Sequence, residues 1–236
     1  MRIVRTINEN YVKSRVPRGF NLSAARAVQR RLSGLVVEKP LSERRLVAGL
    51  DVAYVGNTAV AAAVIVDSIS KAVMDSAVIY TRVDFPYIPT LLSFRELKPM
   101  VMAYKSLERA PHVVMIDGHG IAHPYRLGIA AHFGVTMGMP TIGGVAKSLL
   151  YGECDVDVDA SPPILDPATG GDQLGAVIRC GAGLGPTFIS VGNLISLPDA
   201  VRLARELCVS SVMPLPILMA HRLANKAKKS IKPQSG

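Results

Sequence analysis

The sequence predicts an α/β protein in which the first three strands of the sheet run antiparallel. Segments rich in alanine and β-branched residues cover 46–81, and the short turns between them are typical of an antiparallel meander. A helical pattern at 91–107 and an apolar run at 113–116 then begin a βα alternation, which adds strands to an open sheet. With 236 residues, of which 49% are hydrophobic, the chain can bury a sizeable core.

Local signals place the elements in order along the chain. Asn21 can cap a basic amphipathic helix, and Gly56-Asn57 forms the turn between the first two strands. Residues 151–173 combine acidic residues with prolines and glycines, and we interpret them as a solvated loop. The predicted strands lie at 46–54, 58–67, 71–81, 113–116, 140–142, 175–180 and 187–191. The predicted helices lie at 24–32, 91–107, 125–133, 197–207 and 217–227.

The segment Pro86-Tyr87-Ile88-Pro89 interrupts this series of elements. Two prolines remove backbone donors that a central strand needs, so the segment cannot continue the sheet. We therefore predict a stiff projecting loop with Tyr87 and Ile88 at its tip.

The net charge of +9 is unevenly distributed along the chain. Residues 1–50 carry +8 and residues 222–236 carry +5, whereas the middle of the chain carries −4. Basic ends around an acidic centre suit a polyanion that is held at its edges while carboxylates act in the middle. The alternative interpretation is a basic surface that serves solubility. On charge alone, nucleic-acid binding is favoured.

The cysteines and the N-terminus bear on the compartment. Cys154, Cys180 and Cys208 are widely spaced and odd in number, so we expect buried or idle thiols rather than disulfides or a zinc site. No apolar run in the sequence approaches the roughly 18 residues that span a bilayer, and the charged N-terminus does not resemble a signal peptide. We expect a cytoplasmic protein without membrane association, with one domain over 1–228 and a basic disordered tail over 229–236.

Three carboxylates lie on predicted ordered elements and could form a metal site. Asp51 lies inside the first strand of the meander, Glu96 lies in the following helix, and Asp117 ends the next strand. An aspartate within an apolar strand is costly unless it is paired or binds a metal. Converging carboxylates repel one another unless a hard cation such as Mg2+ neutralises them, and such a site can hydrolyse phosphodiesters. The alternative is that these acids cap helices or pair with structural Arg and Lys.

Four segments carry a resemblance to a known family. They read GLDVAY (49–54), PYIPTLLSFRE (86–96), DGHGIAHPYRLGIAAHFGV (117–135) and GVAKSLLYG (144–152). Together they resemble the endonuclease V family of inosine-directed nucleases, over about Asn21 to Ala224. The resemblance implies a ribonuclease H-like fold, with a mixed central sheet, antiparallel first three strands and helices on both faces.

The resemblance also implies an activity. It implies an endonuclease dependent on Mg2+, with Mn2+ able to substitute, that hydrolyses the second phosphodiester bond 3′ to a deoxyinosine or inosine. The products would have 3′-hydroxyl and 5′-phosphate ends, and the role would be repair of deaminated adenine. Inosine-containing DNA is the implied partner, with RNA as an alternative substrate, and we expect a monomer.

Roles for individual residues follow from the same resemblance. Asp51, Glu96 and Asp117 would be the catalytic metal carboxylates, and Lys147 would lie near the scissile phosphate unless it is a solvent-facing residue. Tyr87 would fill the gap left by a flipped base, although it could instead be a packed loop residue. The glycines would give clearance for that base. The implied nucleic-acid-binding residues are Pro86, Tyr87, Ile88, Pro89, Thr90, Leu92, Gly118, Gly120 and His123.

The C-terminal part departs from the family pattern. Asn193 stands where a histidine is typical, and an amide cannot act as a base. Residues 213–224 lack two arginines and a glutamate that the family usually has there. This departure keeps open a protein that binds inosine-containing nucleic acid without cutting it. A structure-selective ribonuclease H-like nuclease is a further hypothesis.

Overall fold

A ten-stranded sheet forms the centre of the computed structural model, which describes residues 1–146, 148–156, 161–209 and 211–231. The strands are β1 (Arg2–Arg5), β2 (Leu46–Val55), β3 (Thr58–Asp67), β4 (Val73–Arg82), β5 (Val113–Ile116), β6 (Thr141–Ala146), β7 (Gly152–Asp155), β8 (Pro163–Leu165), β9 (Gln173–Ile178) and β10 (Thr187–Asn193). The helices are α1 (Glu9–Ser14), α2 (Leu22–Ser33), α3 (Leu92–Lys105), α4 (Ile129–Met137), α5 (Leu197–Glu206) and α6 (Leu215–Lys228).

The sheet is mixed, as predicted, and its order is β1-β7-β8-β9-β10-β6-β5-β2-β3-β4. Strands β2, β3 and β4 form the predicted antiparallel meander. Strand β5 pairs in parallel with both β2 and β6. The carboxyl ends of these three strands therefore lie at the same edge of the sheet, which is where open α/β sheets usually place their sites.

Helices cover both faces of the sheet, because alternate residues of each strand point to opposite sides. Val47 of β2 packs in one buried cluster with Leu203 of α5 and Ile217 of α6. The next residue, Ala48, packs on the other face with Phe133 of α4. Each large apolar side chain that is fully buried in this way contributes about 1.5–3 kcal/mol to folding. The predicted two-sided arrangement is confirmed.

Two glycines let α6 approach the sheet closely. A Cβ atom on Gly49 of β2 would lie 1.9 Å from the carbonyl oxygen of Pro216. A Cβ atom on Gly144 of β6 would lie 2.8 Å from Cδ1 of Ile217. The first turn of α6 therefore rests on the strand backbone, and the rest of the helix runs over the face that carries Asp51.

The structure adds elements that the sequence pattern did not predict. Strand β1 pairs with β7, with Arg2 opposite Asp155, and the interpretation of 151–173 as a loop was wrong for β7 and β8. Strands of three or four residues are too short to show a period. Helix α4 begins at Ile129, four residues later than predicted. The left-handed φ of 54° at Arg126 is incompatible with a right-handed helix at that point.

The expectation that all cysteines are free was wrong. Cys180 and Cys208 form a disulfide with a Cα–Cα distance of 4.8 Å across 28 residues of sequence. Cys154 is free and buried. Two cysteines 28 residues apart match no sequence motif. The packing of α5 against the sheet brings the two thiols together.

In the described part of the chain, no helix is both long and apolar enough to cross a membrane. Helix α6 ends at Lys228, and residues 232–236 of the predicted tail lie outside the described residues. The disordered tail and the single domain over 1–228 stay predictions.

Candidate metal centre and adjoining cavity

Asp51 lies in the middle of β2 on the face covered by α6. Its residue exposure is 8%, and a carboxylate buried to this extent needs polar partners. Oδ1 accepts a hydrogen bond from the Val52 backbone N–H at 2.7 Å. Oδ2 lies 2.9 Å from Nδ1 of His221. The carboxylate is therefore held by one strand and one helix.

Asp117 reaches the same place from the neighbouring strand. It follows the last residue of β5, and its backbone N–H donates to the Leu50 carbonyl at 3.1 Å. This bond continues the parallel pairing of β2 and β5 and sets Asp117 beside Asp51. Its Oδ2 lies 3.8 Å from Nδ1 of His221. The structure thus brings together the two aspartates that the sequence analysis expected to meet.

His221 completes the cluster, and the sequence analysis did not identify it. Five helical residues from Pro216 to His221 advance about 7.5 Å, and two strand residues from Gly49 to Asp51 advance about 6.7 Å. Since Pro216 rests on Gly49, these similar distances set the imidazole over Asp51. One ligand atom from each of Asp51, Asp117 and His221 lies within 4.8 Å of the others. The sequence signal that could have identified His221 is its position shortly after Pro214 and Pro216.

Glu96 lies on α3 close to the two aspartates but outside this tight set of three. It is 8% exposed. Burial, together with the charges of Asp51 and Asp117, raises the pKa of Glu96 to about 8. The Glu96 carboxyl is therefore within electrostatic reach of both aspartates. A positive charge nearby would favour its ionised form.

The donor set fits a divalent cation. Burial and the neighbouring Asp51 raise the pKa of Asp117 to about 7, while His221 lowers it. Several carboxyls whose negative charges oppose one another are stabilised by a cation between them. Carboxylate oxygens suit Mg2+ and Mn2+, and an imidazole nitrogen is also a ligand for transition metals such as Mn2+. Asp51, Asp117 and His221, with Glu96 nearby, can therefore hold one such ion.

A cavity of about 430 Å3 opens directly beside the cluster, a size typical of small-molecule sites. Asp117 belongs to both the cluster and the cavity wall, so whatever enters the cavity lies next to the candidate metal centre. The residues of the wall are Tyr87, Thr90, Leu92, Ser93, Asp117, Gly118, His119, His123, Leu127, Gly128, Ile129, Val145, Ser148, Leu149 and Leu150.

The Pro86–Pro89 loop reaches the mouth of this cavity. Tyr87 is 63% exposed and lines the cavity, so an aromatic ring is presented to solvent there. Ile88 was predicted at the exposed tip, but it is fully buried. It packs against Val12 of α1, a helix that the sequence pattern did not predict. Pro86 and Pro89 are half-buried on either side of these two residues.

Thr90 and His123 both line the cavity and are joined by a hydrogen bond. The His123 Nδ1 accepts from the Tyr125 backbone N–H at 3.1 Å, so Nε2 carries the proton that is donated to the Thr90 carbonyl at 3.1 Å. Burial lowers the pKa of His123 to about 3, which keeps the ring neutral. The buried Thr90 hydroxyl has no hydrogen-bond partner in the described part of the chain. This hydroxyl is free to bond to a ligand.

Gly118 and Gly120 have packing reasons to be glycine. A Cβ atom on Gly118 would lie 2.1 Å from Cγ2 of Ile129, although Gly118 also lines the cavity. A Cβ atom on Gly120 would lie 1.9 Å from the carbonyl oxygen of Val191. Gly120 therefore lets the loop lie against β10, and the close approach of backbone explains it better than clearance for a ligand.

The remaining predicted residues are placed as follows. Leu92 lies at the start of α3 and lines the cavity. Lys147 lies outside the described residues, and its role stays a prediction. The segment that follows it, Ser148 to Leu150, is part of the cavity wall.

Asn193 has a structural position on β10. Its Oδ1 accepts from the Val37 backbone N–H at 3.0 Å, and its Nδ2 donates to the Gly134 carbonyl at 3.0 Å. Asn193 is 4% exposed, and its amide group joins β10, α4 and the segment before β2. The histidine that contacts Asp51 is His221, so the departure at Asn193 leaves the metal cluster complete.

Fold and site together define the class of protein. A ribonuclease H-like sheet with a carboxylate and histidine cluster beside a cavity is the arrangement of a nuclease. The endonuclease V family model matches residues 30–222, and the chain belongs to the endonuclease V family.

Individual relatives agree with this assignment. Endonuclease V of Thermofilum pendens is 41% identical over 214 residues, which cover 89% of this chain and 90% of that protein. The crystal structure of endonuclease V from Streptomyces avermitilis is 33% identical, with a TM-score of 0.82 over 91% of this chain and 96% of that one. Ciona intestinalis endonuclease V, in complex with a 24mer DNA containing an inosine followed by a ribo-adenosine, shares the fold at 22% identity. Its TM-score is 0.78 over 89% of this chain and 99% of that one.

Proposed function

We propose that this protein cuts inosine-containing nucleic acid at the second phosphodiester bond 3′ to the inosine, leaving 3′-hydroxyl and 5′-phosphate ends. The observation that supports this proposal best is that the candidate metal centre and the cavity share a residue. Asp117 belongs to the candidate metal centre and also lines the cavity. A base held in the cavity would therefore place its own strand beside the cluster. The DNA in the complex of the Ciona intestinalis relative contains an inosine, which supports the choice of base.

In this proposal a base enters the cavity after it has left the stack. Tyr87 at the cavity mouth offers a ring that can stack in the gap. The unpaired Thr90 hydroxyl and backbone groups near Gly118 can bond to the base edge. His123 is neutral and donates to the Thr90 carbonyl, so it positions Thr90.

The hydrolysis itself would occur at the cluster. Asp51, Asp117 and His221 would hold a Mg2+ or Mn2+ ion, with Glu96 beside them. Such an ion neutralises charge at the phosphate and makes water a better nucleophile. The water oxygen would form the new bond to phosphorus and give up a proton. The bond from phosphorus to the 3′-oxygen would break, and that oxygen would take up a proton. Lys147 remains the proposed residue near the scissile phosphate.

The cellular setting is part of the same proposal. The cut would begin repair of deaminated adenine in DNA, with inosine-containing RNA as a further substrate. We propose a monomer acting in the cytoplasm.

A strand with one inosine and a label at its 5′ end tests the activity directly. With Mg2+ we expect one product, cut one nucleotide beyond the inosine, and no product in EDTA. The same strand with guanine should stay intact, and Asp51→Asn or Asp117→Asn should abolish cutting. Tight binding without cutting would instead support the non-cleaving reader. Equal cutting of the guanine strand would support a structure-selective nuclease.

A further inference from the structure

A second cavity lies between α1 and α2, next to the loop that carries Tyr125. It has a volume of about 600 Å3 and opens to solvent. Three cationic residues, Lys13, Arg26 and Arg30, line it together with one carboxylate, Glu9. The surface of this cavity therefore has an excess of positive charge.

Arg26 is the unusual residue of this cavity. It is 5% exposed, and its Nε and Nη2 atoms are buried without a hydrogen-bond partner among the described residues. Its Nη2 lies 3.9 Å from Glu9 Oε1, which is too long for a hydrogen bond. Burial lowers the pKa of Arg26. Unused donors on a buried cation cost free energy, and an anion that accepts from them would recover it.

The surroundings of Arg26 favour a planar or tetrahedral oxyanion. Its guanidinium carbon lies 4.0 Å from the centroid of the Tyr125 ring, so the ring fixes the plane of the fork. A guanidinium fixed in this way matches the geometry of phosphate oxygens. Lys13 and Arg30 are exposed at the rim and can follow the ligand as flexible cations.

Two short chains of hydrogen bonds connect this cavity to the first one. Arg26 Nη1 donates to Gln29 Oε1 at 2.8 Å, and Gln29 Nε2 donates to the Thr90 carbonyl at 2.7 Å. On the other side, the Tyr125 backbone N–H donates to His123 Nδ1 at 3.1 Å. Thr90 and His123 both line the first cavity. The two cavities are therefore neighbours, and a strand whose base occupies the first cavity can bring a phosphate to the second.

We propose that the cavity between α1 and α2 is a phosphate-binding subsite, in which Arg26, Lys13 and Arg30 hold a backbone phosphate of the nucleic-acid strand whose base occupies the first cavity. This inference rests on the proposed function. A phosphate bound there would displace the Glu9 carboxylate from beside Arg26. The side chain of Glu9 is 45% exposed and can turn to solvent, although its bond from the Tyr125 hydroxyl at 2.9 Å opposes this.

Binding of a labelled single strand with one inosine, measured in EDTA over a range of salt concentrations, tests the subsite. Lys13→Ala and Arg30→Ala should each weaken binding about tenfold and reduce the slope of log K against log salt by about 0.7. The loss should be equal for the inosine strand and the guanine strand, because a phosphate contact carries no base information. Glu9→Gln should tighten binding about twofold to fivefold. Arg26 is left intact because it also holds Gln29.

The matched control is Arg31→Ala, which removes an exposed arginine from the same helix. The decisive measurement uses strands in which one phosphate at a time is replaced by an uncharged methylphosphonate. At one position wild type should lose about tenfold in affinity, and the Arg31→Ala variant should lose the same. The Arg30→Ala variant should lose clearly less there, because only Arg26 and Lys13 remain to hold that phosphate.

The two proposals fail in different ways. If wild type prefers inosine but Arg30→Ala and Arg31→Ala respond alike at every methylphosphonate position, the subsite is wrong and the proposed function stands. If wild type neither prefers nor cuts inosine strands, the proposed function is wrong. The methylphosphonate comparison then still decides whether Arg30 contacts a single phosphate.

Discussion

His221 places an imidazole nitrogen 2.9 Å from Asp51 and 3.8 Å from Asp117, close enough for one cation to join the three side chains. His221→Ala should lower metal affinity and the cutting rate by about 10- to 100-fold, the range typical for groups that hold or orient a metal. Titration of activity and of Mn2+ binding would measure both. Asn193→Ala is the control, since its amide bonds to the backbone of Val37 and Gly134 and, among the described residues, lies outside the cluster. Equal loss of metal affinity in the two variants would contradict the assignment of His221.

His132 is expected to make the stability of the protein depend on pH. It is buried on α4, with Nδ1 3.0 Å from the Ser93 hydroxyl, and burial lowers its pKa from 6.5 to about 4. Below pH 6.5 the unfolded chain takes up a proton that the folded protein does not. Stability from this group is therefore complete above pH 6.5 and is lost as the pH falls towards 4, by about 3 kcal/mol.

The prediction for His132 is a change of slope. Free energies of unfolding in urea, measured from pH 7 to 4.5, should fall less steeply in His132→Leu than in wild type, by up to about 1.4 kcal/mol per pH unit. His119 and His123 also have lowered pKa values, so the variant should keep part of the slope. Above pH 6.5 the two curves should run parallel. Parallel curves at every pH would contradict the buried, neutral imidazole.

At the scale of elements, the contact between α6 and β2 decides whether the cluster exists. Gly49→Ala would place a Cβ atom 1.9 Å from the Pro216 carbonyl oxygen, so the helix must move away. We expect about 1–3 kcal/mol of destabilisation from overpacking, together with weaker Mn2+ binding, because His221 moves with the helix. Thermal melts and Mn2+ titration would measure these. Gly171→Ala is the control, since nothing lies within 4 Å of its Cβ position. Normal Mn2+ binding in Gly49→Ala would show that α6 does not position the cluster.

At the scale of the whole molecule, the features that could be predicted from the sequence are those set by local patterns and by neighbouring strands. Asp51 and Asp117 were expected to meet because they lie on apolar runs that read as neighbouring strands. His221 was missed because its position depends on the contact of Pro216 with Gly49, which leaves no period in the sequence. Ile88 was placed at an exposed tip because the helix that covers it, α1, has only six residues. Contacts between distant segments therefore account for the errors.

The disulfide between Cys180 and Cys208 is such a contact, and it should stabilise the whole molecule. It closes a loop of 28 residues that contains β10 and α5, which by loop entropy is worth about 3–4 kcal/mol, or roughly 10 °C in melting temperature. Wild type under a phosphine reductant should melt at the temperature of the Cys180→Ala/Cys208→Ala variant, and that variant should not respond to the reductant. Cys154→Ala should respond as wild type does, because burial raises the pKa of the Cys154 thiol to about 11 and leaves it unreactive. If oxidised wild type and the double variant melt together, the bond contributes no stability.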